Sequence, residues 1–370
     1  MLVAGAPQAL LLVGPASVGK TTLALDLAAG LLCHDEDPAV RPCGACRSCR
    51  LVDAGEHQDL HRLAPEGPGR QVRIGDPEDP EPGTVRHLIR ELARLPVEGA
   101  RRVAIVEGAH RLNEDAQNAL LKTLEEPPPG ATLILCADEP ERLLPTVRSR
   151  TAVLRLGPAG MRAMEALLAE HGVEPPRSAR LARLADGRPG AALALAAAPG
   201  AVAAREEIGR ALLDLATAGT ADRLAAGRDL LARAADLGSS GAAGDGASAQ
   251  DPAPVAADAG GSGDAVKDTR PARGTPAERR QAAEALLAAW TAVARDLAVV
   301  AAGSRTAVRD PALLDDLEAT AGRIPPGSAV AFLGRLARAF ELLEANANPE
   351  LLVDVLVLAW PRAAGPGARP

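Results

Sequence analysis

The apolar run Leu10-Leu11-Leu12-Val13 stops at Gly14, and beyond it Leu23, Leu27 and Leu31 recur every four residues. A short unbroken apolar run is the pattern of a strand covered on both faces, and a four-residue period is that of a helix with one buried face. The pattern predicts a strand, a glycine-containing turn and a helix. Further along, Val85, Leu88, Ile89 and Leu92 fall at helical spacing, with Arg86, Arg90 and Arg94 on the other side as an ordinary solvated face. Val103-Ala104-Ile105-Val106 reads as a second strand leading into Glu107-Gly108-Ala109-His110, and Cys136 sits in another apolar strand. Between them a helix capped by Asn113 runs to Glu126, where Pro127-Pro128-Pro129-Gly130 stops it. Gly67-Pro68-Gly69 and the acidic, proline-rich stretch 76–83 read as loop. Strands alternating with helices predict an α/β module over residues 1–156.

After Leu156 the pattern changes to Ala, Leu and Arg. Met161 to Gly172 and Ser178 to Ala198 predict a small helical unit, 157–200, and a further Ala-rich helical stretch reaches about Leu237. Residues 238–274 are Gly, Ala, Ser, Asp and Pro with almost nothing to bury, which predicts a disordered insert. Order is expected to resume at Thr275-Pro276-Ala277-Glu278, a capping box with Pro at the first helical position. Three later helices, around Trp290, Phe340 and Val355, complete an all-α region over 201–370.

Composition narrows the class. A chain of 370 residues exceeds what one core usually serves. With two Trp, two Phe and no Tyr, its cores are built from Leu, Val and Ala. A net charge of −7 argues against a dominant, sequence-independent grip on nucleic acid. No apolar stretch reaches membrane-spanning length and no basic segment with a cleavage site opens the chain, so a cytoplasmic protein is expected.

The turn after the first strand, Gly14-Pro15-Ala16-Ser17-Val18-Gly19-Lys20-Thr21, is a phosphate-binding loop. Glycines let backbone N–H groups curl around a polyphosphate, the helix offers its positive end, Lys20 reaches the β/γ-phosphates and Thr21 can ligate Mg²⁺. Of 41 basic residues only Lys20, Lys122 and Lys267 are lysines, so the loop uses a compact ammonium in a chain that otherwise writes positive charge as Arg. Cys33, Cys43, Cys46 and Cys49 crowd together, and four thiolates at such spacing suit tetrahedral Zn²⁺. An iron–sulfur cluster would take the same ligands, whereas disulfides are disfavoured in a reducing compartment. His34 is a competing ligand, but four sulfurs already close the site, and Cys136 reads as a buried small hydrophobe.

Asn118-Ala119-Leu120-Leu121-Lys122-Thr123-Leu124-Glu125-Glu126-Pro127-Pro128 resembles the signature of bacterial DNA polymerase III clamp-loader subunits, the delta-prime and tau/gamma branch of the AAA+ proteins. The four-Cys stretch resembles that family's zinc module, and 143–150, ending Ser149-Arg150, resembles the stretch carrying its Ser-Arg-Cys motif, with Thr151 in place of the Cys. The likeness continues more weakly through Gly187-Arg188-Pro189-Gly190, Leu286 to Asp296 and Asn346 to Pro361. It implies an α/β P-loop AAA+ module with an inserted zinc module at 33–49, a small helical lid and an all-α collar. It also implies ATP/Mg²⁺ held at Gly14, Gly19, Lys20, Thr21, Thr22 and Glu107, and structural Zn²⁺ at Cys33, Cys43, Cys46 and Cys49. The implied partners are the tau/gamma and delta subunits of a hetero-pentameric ring, the sliding clamp and, through the complex, primed DNA, with no membrane.

The departures from that family distinguish its branches. A hydrolysing member places Asp then Glu after the second strand, to hold Mg²⁺ and orient water. This chain has Glu107 and Gly108, so no side chain is available as a base. The polar sensor position falls at Ala137, beside Asp138, and the sensor arginine position at Gly190. These losses imply nucleotide binding without hydrolysis and a delta-prime-like stator, with Arg150 as a finger reaching the neighbouring subunit's ATP. Family members frame adenine with a segment before the loop, where this chain has only residues 1–13; the adenine site is expected to be incomplete, or the recorded start too late. The alternatives are a tau/gamma-type motor, a stand-alone P-loop ATPase or kinase, and a zinc-dependent nucleic-acid-binding module.

Overall fold

The computed structural model describes residues 7–65, 72–241 and 275–363. The Gly67-Pro68-Gly69 loop and residues 242–274 of the expected insert lie outside these. The chain divides into two units, Met1–Met164 with Gly187–Ala191, and Glu165–Asp186 with Ala192–Pro370.

The first unit carries β1 (Ala9–Val13), α1 (Lys20–Leu32), α2 (Arg47–Asp53), β2 (Leu60–Leu63), α3 (Val85–Leu92), β3 (Arg102–Val106), α4 (Glu114–Glu125), β4 (Ala131–Ala137), α5 (Pro145–Arg148) and β5 (Ala152–Arg155). The strands form one sheet in the order β2-β3-β4-β1-β5, and every pairing is parallel. The apolar runs feed two cores in alternation, as the two-residue period of a strand requires. Leu11, Val13, Ala104, Val106, Leu133 and Leu135 face one cluster together with residues of α3 and α4. Leu10, Leu12, Val103, Ile105, Ile134 and Cys136 face another together with α1. Full burial of a Leu such as Leu12 contributes about 2 kcal/mol. The end of α4 is as the sequence predicts, and the Asn113 side chain accepts from the Ala116 N–H at its start. Strand β2, Leu-His-Arg-Leu, has no apolar run to announce it; only its two Leu are buried, and it is a strand because β3 lies beside it.

The helical elements that follow are α6 (Met161–Glu170), α7 (Arg177–Ala185), α8 (Pro189–Ala197), α9 (Pro199–Asp214), α10 (Thr220–Gly241), α11 (Pro276–Ala301), α12 (Leu314–Ala321), α13 (Ser328–Glu344) and α14 (Pro349–Ala359). The Thr275 capping box is formed, with Thr275 and Glu278 satisfying each other's backbone N–H. Helix α12 adds a fourth element to the three expected after the insert; at eight residues it is too short for its period to stand out. The second unit's core centres on Trp290, Phe332 and Trp360, with Phe332 and Trp360 edge to face at 4.8 Å. Arg223 is fully buried there and donates to the carbonyls of Val357, Trp360 and Pro361, acceptors at and just beyond the end of α14.

Candidate nucleotide and metal sites

Because all five strands run parallel, β1, β3 and β4 bring their carboxyl ends to one edge, where open α/β sheets bind ligands. The turn from β1 into α1 lies there, and its glycines are geometric requirements. A Cβ added at Gly14 would stand 2.3 Å from the Leu156 carbonyl oxygen, and Gly19 caps α1 at φ 102°. Lys20 opens α1 and is almost fully buried. Its Nζ donates to the carbonyls of Gly14 (3.0 Å) and Pro15 (2.7 Å) and meets Asp138 Oδ1 at 2.6 Å. Thr21 and Thr22 follow in the first turn, half-buried and exposed.

At the end of β3, the Glu107 carboxylate is engaged by Arg62 of β2, whose Nη2 and Nε lie 2.7 and 3.1 Å from Oε1. Gly108 has φ 58°, and a Cβ there would come within 2.9 Å of the Pro65 ring, so the backbone disfavours any side chain at the position where the resemblance expects a motor's base. Ala137 ends β4. The next residue, Asp138, donates its backbone N–H to Nδ1 of buried His110. Burial holds His110 below the ordinary histidine range, with the neighbouring cations Arg111, Arg142 and Lys20 adding to that against the opposing pull of Asp138. Gly190 donates its N–H to the Ser17 carbonyl at 3.0 Å, and a Cβ at Gly190 would lie 3.2 Å from that oxygen. The position where the resemblance expects a sensor arginine is thus a backbone contact with the Gly14–Thr21 loop.

The four cysteines gather into one cluster with all sulfurs within 4.8 Å of one another. Cys33 Sγ stands 3.6 Å from that of Cys43 and 3.9 Å from that of Cys46. A zinc ion at about 2.3 Å from each of four sulfurs sets them about 3.8 Å apart, so the donor set fits tetrahedral Zn²⁺. Cys43 Sγ accepts the Cys46 N–H, and Cys46 Sγ accepts the Cys49 N–H at the start of α2. Burial raises the Cys46 thiol, but those backbone and thiol hydrogen bonds outweigh it and bring Cys46 to about 6, whereas burial and the neighbouring sulfurs push Cys49 to about 12. His34 is not part of the cluster. A buried chain of bonds fastens the module to the sheet. The Asp59 N–H donates to His57 Nδ1, which leaves the proton on Nε2 to donate to Ser48 Oγ at 2.7 Å, and Ser48 donates to the Leu32 carbonyl. The Asp59 carboxylate in turn accepts from the N–H groups of Val97 and Glu98.

Arg150 lies between α5 and β5, about one-third exposed. Its Nη2 pairs with Glu125 Oε1 at 2.6 Å, and Nη1 donates to the Thr146 carbonyl. The pair joins the two stretches that carry the clamp-loader resemblance.

Residues 4–160 match the family model described as DNA polymerase III, delta subunit. The chain is 41% identical over 143 residues to DNA polymerase III subunit delta' of Pseudomonas aeruginosa, covering 39% of this chain and 41% of that one. Over this N-terminal stretch the chain is similar to delta-prime subunits. It is also 38% identical over 190 residues to subunit delta' of Escherichia coli, covering 51% of this chain and 54% of that protein. Against DNA polymerase III subunit gamma/tau of Mycobacterium bovis it is 38% identical over 165 residues, 44% of this chain and 26% of that one. The chain thus spans about half the length of the delta-prime relatives it matches.

In this module the partners of the site residues carry less sequence signal than the residues themselves. Arg62 reaches Glu107 because β2 pairs with β3, in register Leu63 to Val106, and β2 is the strand without a sequence signal. Asp138 reaches Lys20 because β4 lies beside β1, with Val13 opposite Ala137. Glu125 was visible only as a letter of the motif. No described helix is long and apolar enough to cross a membrane.

Proposed function

We propose that this chain is the delta-prime stator of a DNA polymerase III clamp loader, helping to place a sliding clamp on primed DNA during replication and contributing no polymerisation itself. In this reading it sits in a ring with tau/gamma and delta subunits. Arg150 lends a planar cation to the ATP of a neighbouring motor subunit, where it stabilises charge developing on the γ-phosphate. Structural Zn²⁺ on the four cysteines would hold the 33–49 module, and the loop at Gly14–Thr21 would bind ATP/Mg²⁺ weakly without turning it over.

The observation that carries the proposal is the contrast between what the module keeps and what its backbone refuses. Arg150 stands at the surface on the clamp-loader motif, while Gly108 is at positive φ against Pro65 and Gly190 is seated on Ser17. A second reading, a tau/gamma-type motor, is favoured by the intact loop and by Lys20 in place at the start of α1. Steady-state ATPase of the isolated chain separates them: the stator hydrolyses essentially no ATP, and turnover at motor level that Lys20→Ala abolishes would establish the motor instead. Co-purification with separately expressed tau/gamma and delta subunits tests membership of the ring.

A further inference from the structure

Lysine carries three N–H donors and no acceptor, so its ammonium can serve three partners. Lys20 has three already: the Gly14 carbonyl, the Pro15 carbonyl and the Asp138 carboxylate, the last at 2.6 Å. The side chain is 7% exposed and that of Asp138 32%, so the ammonium is covered while its carboxylate partner is partly open to solvent. Asp138 is held in place from behind, since it directly follows β4 and its N–H donates to His110 Nδ1. On the other side of the loop, Gly190 ties down the Ser17 carbonyl.

We propose that Asp138 is an internal counter-ion that occupies the phosphate position of Lys20 and sets the nucleotide affinity of this loop. A polyphosphate entering the loop must displace this carboxylate from the ammonium and then lie beside it, so the same residue competes for the cation and repels the ligand. The proposal deepens the reading of Gly14–Thr21 as a phosphate loop, and it locates weak binding in one side chain rather than in the lost hydrolytic groups, which act after binding. Asn at 138 keeps the shape and the backbone bond to His110 while removing the charge.

The test is titration of the full chain with MgADP and MgATP by calorimetry, comparing wild type, Asp138→Asn, Asp138→Ala and Asp138→Asn with Lys20→Ala, each checked for native circular dichroism. Both single variants are expected to bind at least about tenfold more tightly than wild type, a gain that removing the ammonium cancels. Two variants of different size guard against a packing artefact at one of them. Unchanged or weaker binding in both, a gain that survives loss of Lys20, or no measurable binding by any form would each overturn the proposal. None of these outcomes bears on ring assembly, so the stator reading stands or falls separately.

Discussion

The cysteine cluster and the phosphate loop lie in the same unit and are built on opposite electrostatic terms. At the cluster, four thiols are brought within 4.8 Å, and their hydrogen-bond partners are one another and backbone N–H groups. At the loop, each charge is matched inside the protein: Lys20 by Asp138, and nearby Glu107 by Arg62. The first arrangement can take a cation from outside, and a bound cation would let several thiolates be charged side by side. The second is complete without an anion from outside. A sequence motif therefore reports what a site can hold, and the charges around it report how strongly it needs to.

Breaking the first site should have the largest effect. Cys46→Ser removes one sulfur while leaving a side chain that caps α2 at least as well as the thiol does. The loss then reads out metal binding rather than capping. Elemental analysis of the wild-type chain should give close to one zinc, and the variant should lose it together with on the order of 3 kcal/mol or more of apparent stability, with earlier proteolysis within 33–49. Iron with visible absorbance in place of zinc, or an unchanged melting temperature in the variant, would contradict the assignment.

A smaller effect is expected where the loop's surroundings are altered. Gly108→Glu supplies the carboxylate of a motor, but at φ 58° and with Pro65 2.9 Å from the new Cβ. It should cost about 1–2 kcal/mol in chemical denaturation and give no ATPase. Measurable hydrolysis in this variant would mean that only the missing base separates this module from a motor.

How far the molecule was readable follows from the same contrast. Strands β1, β3 and β4 were legible because each carries an apolar run of at least four residues buried on both faces, and α4 and α11 because Asn113 and Thr275 cap them in a recognisable pattern. The four cysteines were legible because three of them lie on one short loop and helix start. Strand β2 was not, since His61 and Arg62 interrupt it and its pairing is decided by β3. The Lys20–Asp138 pair joins residues far apart in the chain, and only the order of strands makes them neighbours. Motifs are local, whereas charge compensation is a property of the folded sheet.

Arg150 sharpens the comparison from outside the two sites, because its own counter-ion, Glu125, is surface-exposed and easily exchanged. In a reconstituted ring, Arg150→Ala should leave assembly intact and roughly halve the clamp- and DNA-stimulated ATPase, since the other sites keep their own fingers. Lys should substitute poorly, lacking the planar fork. Unchanged ATPase and clamp loading, with assembly verified, would make Arg150 a purely structural residue.

The smallest effect tests whether the loop's wiring is felt in stability. Burial is the leading cause that holds His110 below its ordinary value of 6.5, and Nδ1 must stay unprotonated to accept the Asp138 N–H. A histidine whose folded pKa is depressed binds fewer protons folded than unfolded, so its contribution is fully present above about pH 6.5 and is lost as pH falls towards the folded value. His110→Asn keeps an acceptor near the place of Nδ1 but does not titrate. Between pH 7 and 5 the wild type should therefore lose stability faster than the variant, by at most about 1.4 kcal/mol per pH unit, with acid loss at the thiol cluster common to both and cancelling in the difference. Denaturant titrations at several pH values measure it. Parallel curves would mean that His110 takes up its proton without disturbing the Asp138 contact, and that Asp138 is held against Lys20 by the ion pair and the end of β4 alone.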